Sequence, residues 1–155
     1  MKRIFALVSA VVLSGFLPGA LAQSDPFVGK WKINAVASKT PGEDLTLTFE
    51  AQGNGVKFSS KGRAQEGNNV AYGYTATYDG KDSPISGTGV PSGADTIALT
   101  RINPNTVESI WKKAGKVVRR SQSAISNDGK ILTITVKRTN AKGEPADLVL
   151  IWDKQ

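Results

Sequence analysis

Three tyrosines, Tyr72, Tyr74 and Tyr78, fall on one parity of a single segment together with Val70 and Ala76. If that face points inward, the phenol hydroxyls put polar tips into an apolar cavity, the mixture that a small-molecule pocket needs. The plain alternative is a core stripe with its hydroxyls at the rim. Arg101 and Arg138 each end an apolar alternation, Ile97, Leu99, Arg101 and Leu132, Ile134, Val136, Arg138. An inward guanidinium can hold a carboxylate in a bidentate fork; a strand end that has reached solvent lets it snorkel out instead. Trp111, in the segment 106–113, is counted with these as a candidate ligand contact. Such residue types supply recognition rather than turnover. The chain has no His and no Cys, which excludes a Ser-His-Asp triad, a cysteine nucleophile, a thiolate zinc site and a His-ligated haem.

The carboxylates do not assemble into a catalytic pair. Glu43 and Asp44 lie in the first connection, and Asp79 and Asp82 flank a turn. Asp79-Gly80-Lys81-Asp82 is too short for a calcium loop, and there is no phosphate loop or dinucleotide fingerprint. No metal and no cofactor is expected, and the chain is not expected to be an enzyme. Lys112, Lys113, Lys116, Arg119 and Arg120 surround Ala114-Gly115 and form a basic hairpin, with one arginine on each face of its strand. It is either an ordinary solvated hairpin or a weak contact for phosphates or an anionic lipid surface.

The first residues read as a targeting segment. Lys2 and Arg3 precede the apolar run Ile4–Leu17, Pro18-Gly19 breaks it, and Ala20-Leu21-Ala22 gives the small-x-small pattern before Gln23. That order is a secretory signal peptide over 1–22. The run is shorter than the ~20 residues of a membrane-spanning helix, so no transmembrane segment is expected after cleavage. Export to a bacterial periplasm or beyond follows, with residues 23–155 as the one folded domain. Cleavage removes Lys2 and Arg3 from a formal net charge of +7. The mildly basic remainder does not suggest a nucleic-acid partner. With no disulfide available, the domain must rest on its own core, and a monomer is expected.

The elements that must position these residues are strands. Trp31 and Ile33 alternate with lysines, and Leu45, Leu47 and Phe49 with Thr46 and Thr48. Val56 and Phe58 alternate with Lys57 and Ser59, and Leu132, Ile134 and Val136 with Thr133 and Thr135. Apolar residues at every second position put one face inside and one in water. Asn54-Gly55, Asp79-Gly80 and Asp128-Gly129 are two-residue hairpin signals. Asn103-Pro104-Asn105, Ala114-Gly115 and Lys142-Gly143-Glu144-Pro145 are further breaks. About ten strands follow, near 29–36, 45–51, 56–61, 69–78, 83–87, 95–102, 106–113, 117–126, 131–139 and 146–153. Consecutive hairpins of this number can curl and close, which removes their edges. The expected fold is all-β, a single antiparallel up-and-down barrel of about 8–10 strands.

Phe27-Val28-Gly29-Lys30-Trp31-Lys32 opens the first strand. Its Gly29-x-Trp31 resembles the calycin superfamily, the lipocalins and intracellular fatty-acid-binding proteins, and the six residues look most like the latter. The resemblance implies an up-and-down barrel around a hydrophobic ligand, with Trp31 at the closed end under a basic side chain from a late strand. Arg101 and Arg138 are the candidates for that cover. Two family features are missing. Val36 to Asp44 is too short for a helical lid, and Leu148 to Lys154 holds no Arg-x-Tyr pair. The better comparison is therefore with exported bacterial lipocalin-like proteins of unassigned function.

Two readings of function follow from the residues and the resemblance. One is non-catalytic binding of a small apolar or amphiphilic ligand inside the barrel. The other is a barrel whose core is filled by side chains and which acts through its outer surface as an inhibitor or interaction module of the cell envelope. Cavity volume separates them.

Overall fold

The computed structural model describes residues 24–155. Residues 1–22, read as a signal peptide, lie outside the described residues. Ten strands form one closed barrel: β1 (Gly29–Ile33), β2 (Asp44–Gln52), β3 (Gly55–Arg63), β4 (Asn69–Thr77), β5 (Asp79–Thr88), β6 (Thr96–Asn103), β7 (Thr106–Lys113), β8 (Lys116–Ile125), β9 (Ile131–Lys137) and β10 (Leu148–Lys154). Each strand pairs antiparallel with its sequence neighbours, and β1 closes the ring between β2 and β10. Trp31 faces Leu47 across one seam, and Ile33 faces Trp152 across the other. Among the described residues the helical content is one 3-10 turn, Pro91–Gly93. Closure gives every strand two partners, so the sheet needs no protected edge.

The expected strands are all present, but three turns differ from expectation. The β2–β3 hairpin turns on Gly53-Asn54, with Gly55 already paired to Gln52. Glycine supplies the positive φ at the first central position, as a type II′ turn requires. Asp128-Gly129 lies within a longer connection between Ser126 and Ile131. Asp79-Gly80 is no hairpin turn at all, because Asp79 opens β5 and pairs with Thr100 of β6. The chain bends at Tyr78, and β4 meets β5 only further along, from Ala71–Tyr74 to Ile85–Thr88. Gly87 makes that meeting close. At φ 120°, any Cβ would sit 2.1 Å from the Ala71 carbonyl oxygen. The Lys113–Lys116 hairpin does turn on Ala114-Gly115, both at positive φ.

The base of the barrel is solid. Trp31 is fully buried, and its indole Nε1 donates to the Phe27 carbonyl at 2.9 Å. The cation over its ring is Lys154, 5.0 Å from the centroid, and not Arg101 or Arg138. Lys154 qualifies because Trp31 and Lys154 are paired across the β1–β10 seam. Ile97, Leu99 and Leu132 are buried in the same hydrophobic cluster as Trp31.

The β1–β2 connection is short and carries no helix, as its length implies. Its Thr40 N–H donates to the Ala35 carbonyl, which folds it into a compact loop. The Ser38 hydroxyl ties that loop to β10. It donates to the Ile151 carbonyl at 3.2 Å and accepts from the Ile151 N–H at 2.8 Å.

Candidate functional site

Above this floor the barrel is hollow. A cavity of about 480 Å³ runs from Phe27 and Tyr78 near the base to the connections at 39–43, 64–66 and 89–91. That volume lies within the range of small-molecule pockets, ~300–1,000 Å³. The interior is therefore not filled by side chains, which was the structural premise of the surface-module reading.

Strand alternation builds its walls, and the two sides differ in chemistry. One wall is apolar, with Leu45 and Leu47 from β2, Ile134 from β9, and Leu148 and Leu150 from β10. The other is polar. Ser109 and Ser121 face each other across β7–β8, and both are buried. Trp111 faces Arg119 one step further along, and its indole donates to the Ser121 hydroxyl at 3.3 Å. Ser60 of β3, paired with Tyr72 of β4, extends this surface around the barrel. Tyr72 and Tyr74 each place their ring 6.3 Å from Trp111, edge-on, so β4 reaches β7 across the lumen.

Arg119 is the central electrostatic feature. Its guanidinium lies 5.7 Å from the Trp111 ring and lines the cavity. Among the described residues, no carboxylate lies within ion-pair distance of it, and its buried Nε has no hydrogen-bond partner. Burial pushes its pKa down; Tyr72 opposes that shift, Arg138 adds to it, and Glu43 opposes it. An inward cation without a counter-charge costs free energy until an anion arrives.

The reason Arg119 faces inward is a bulge. Trp111 pairs with Arg119, while the next residue, Lys112, pairs with Val117, so Val118 is the extra residue. A bulge of this kind re-aims the side chains beyond it. Arg119 then shares its face with Ser121, Ser123 and Ile125, which is too polar a series to read as a core stripe. The expectation of a solvated hairpin holds for Lys113, Lys116 and Arg120, which are exposed, and fails for Arg119.

The other candidates divide. Tyr72, Tyr74, Tyr78 and Trp111 all line the cavity, and Arg138 lies exposed at its mouth. Arg101 does not line it. Its Nη2 is 2.5 Å from the Asp25 carboxylate and its Nη1 donates to the Pro104 carbonyl. Its guanidinium stacks 3.9 Å from the Tyr78 ring, whose hydroxyl donates to the same Asp25 at 3.1 Å. With every face engaged, Arg101 is a latch that holds the N-terminal segment against the base. Its ligand-binding assignment is corrected accordingly.

Burial keeps the phenols neutral. Desolvation pushes Tyr72 up to about 12, with partial relief from Arg119 and Ser60. It raises Tyr74 well above its ordinary value, helped by Tyr72 and Tyr78. Tyr78 is raised as well, by burial and then by Asp25. These are the only tyrosines in the chain. An unfolded phenol ionises near pH 10, so above that pH the unfolded chain binds fewer protons than the folded one. Stability is therefore full below about pH 10 and falls as pH rises towards 12, by on the order of 1.4 kcal/mol per pH unit for each silent phenol. Phenolate absorbance should stay flat past pH 10 and appear together with loss of the far-ultraviolet circular dichroism. Phenolate appearing at pH 10 in a folded barrel would contradict this.

No family model matches the chain, and no curated protein matches its sequence. Solved structures do match. The crystal structure of the zebrafish ileal bile acid-binding protein complexed with cholic acid aligns with a TM-score of 0.55 at 17% identity. The alignment covers 84% of this chain and 99% of that one. Together with the closed ten-strand order, this establishes the fold as an antiparallel barrel of the same kind as that structure's, as the resemblance implied.

Proposed function

We propose that this calycin-type barrel is a non-catalytic carrier of a small amphiphilic anion. The observation that carries the reading is the unpaired, inward Arg119 in a cavity that is otherwise apolar along one wall and lined by Ser and Tyr along the other. An anionic head beside Arg119 gains a charge-assisted, bidentate contact, and an apolar body covers the leucine wall. That the zebrafish protein of similar fold is complexed with cholic acid supports an amphiphile of this size. The reading places the carrier outside the bacterial cytoplasm, on the strength of the signal-like residues 1–22.

Trp111 and Trp152 both line the cavity, so their fluorescence reports occupancy. Titration of the delipidated protein with hexadecanoic acid should change that emission and saturate, with Kd about 1 µM or tighter, near −8 kcal/mol. Absence of any saturable change with hexadecanoic acid, and of any anionic amphiphile retained in native mass spectrometry, would refute the proposal.

A further inference from the structure

Among the described residues, four buried side-chain atoms have no hydrogen-bond partner: Thr40 Oγ1, Glu43 Oε2, Arg119 Nε and Trp152 Nε1. All four belong to residues that line the one cavity. Thr40 and Trp152 are themselves more than nine-tenths buried. A buried polar group left unpaired is costly, and each one in a native interior asks for an explanation. Their concentration on one cavity points to a ligand that answers them.

The four differ in what they require. Arg119 Nε and Trp152 Nε1 can only donate, the Glu43 carboxylate oxygen accepts, and the Thr40 hydroxyl does either. A simple carboxylate suits Arg119. It offers nothing to Glu43 and is repelled by it. The three groups other than Arg119 come from two elements that are tied together. Thr40 and Glu43 belong to the β1–β2 connection, whose Ser38 is hydrogen-bonded to Ile151, the residue next to Trp152. Glu43 directly precedes β2 and Arg119 lies in the first half of β8; alternate strands of this antiparallel ring run in the same direction, so both sit towards the same end of the cavity.

We infer that Thr40, Glu43 and Trp152 form a second polar subsite, which takes a hydroxyl group on the ligand close to the anion held by Arg119. This rests on the carrier reading and narrows it to hydroxylated amphiphilic acids. A hydroxyl donates to Glu43 and accepts from Trp152. An ammonium group has no acceptor for the indole and would leave it unpaired. The subsite thus selects against plain acyl chains through the cost of leaving Glu43 and Trp152 unanswered, which is how buried polar groups discriminate between ligands.

Hexadecanoic, 3-hydroxyhexadecanoic and 16-hydroxyhexadecanoic acids provide the test, titrated against the purified protein by tryptophan fluorescence. The 3-hydroxy acid should bind about ten-fold more tightly than the parent acid, and the 16-hydroxy acid should show no gain. Thr40→Val, nearly isosteric, and Glu43→Leu should each abolish most of the 3-hydroxy preference, and Glu43→Leu should do so by tightening the parent acid, whose carboxylate it no longer repels. Equal affinity for the parent and 3-hydroxy acids, an equal gain from the 16-hydroxyl, or a preference that survives both substitutions would each overturn the inference and leave the carrier reading standing. If none of the three acids binds, the carrier reading itself has failed.

Discussion

Replacing Arg119 with Met should weaken binding of hexadecanoic acid by about 100-fold, near 2.7 kcal/mol, and should make the ligand-free protein more stable by about 1–2 kcal/mol. The two signs have one origin. The guanidinium is held inward by the β8 bulge, against Trp111, with no carboxylate among the described residues in ion-pair contact with it. Its desolvation is uncompensated in the free barrel, so an apolar side chain of similar length relieves it. The same replacement removes the charged partner of the incoming anion. Arg119→Lys keeps the charge and loses the fork, and should fall between the two in affinity. Urea unfolding and fluorescence titration on the same preparations give both quantities. A destabilised Arg119→Met protein, or one with undiminished affinity, would mean that the guanidinium is structural.

Trp31→Ala should cost about 3–5 kcal/mol, a large share of the ~5–15 kcal/mol that holds a domain of this size together. Trp31 is completely buried and donates to the Phe27 carbonyl, and Lys154 lies over its ring. Removing the indole opens a void in the floor of the barrel, strips the Phe27 carbonyl of its donor and leaves Lys154 without its aromatic partner. Trp31→Phe retains most of the apolar contact, loses the hydrogen bond, and should cost about 1–2 kcal/mol. Calorimetry would show Trp31→Ala as a fall in Tm of roughly 10 °C or more. Trp31 is not a cavity-lining residue, so the Phe variant should bind hexadecanoic acid as the parent protein does. A small effect of the Ala variant on Tm would show that the floor rests on other residues.

These two residues mark the two ends of what could be read without the fold. Trp31 stands in an apolar alternation behind Gly29, and its place at the base of a barrel follows from that pattern and from the resemblance it carries. Arg119 sits between a valine pair and a polar series, where alternation alone gives two equally good faces. The tyrosines fall between these cases. Their common parity placed them on one face, and the lumen turned out to lie on that side. Thr40, Glu43 and the buried serines carried no signal, because single polar residues in a connection or on a mixed strand look solvated until the opposite wall is known. Arg101 misled for a related reason. It ends an apolar stripe as a ligand-binding arginine would, yet its counter-charge, Asp25, is 76 residues away in the chain.

The base under Trp31 came with the resemblance, while from the residues alone came the ten strands and the exclusion of cysteine, histidine and thiolate-metal chemistry. Those depend on period-two alternation, turn residues and composition, all local properties of the chain. The tertiary structure decided what is hollow and what is paired. One extra residue in β8 turns Arg119 inward, a bend at Tyr78 separates β4 from β5 at the base, and Lys154 rather than an arginine covers Trp31. Each depends on register and on partners distant in sequence, and a one-residue change of register reverses every face. A cavity is the limiting case, since its volume belongs to no residue and exists only when all ten strands have closed around it.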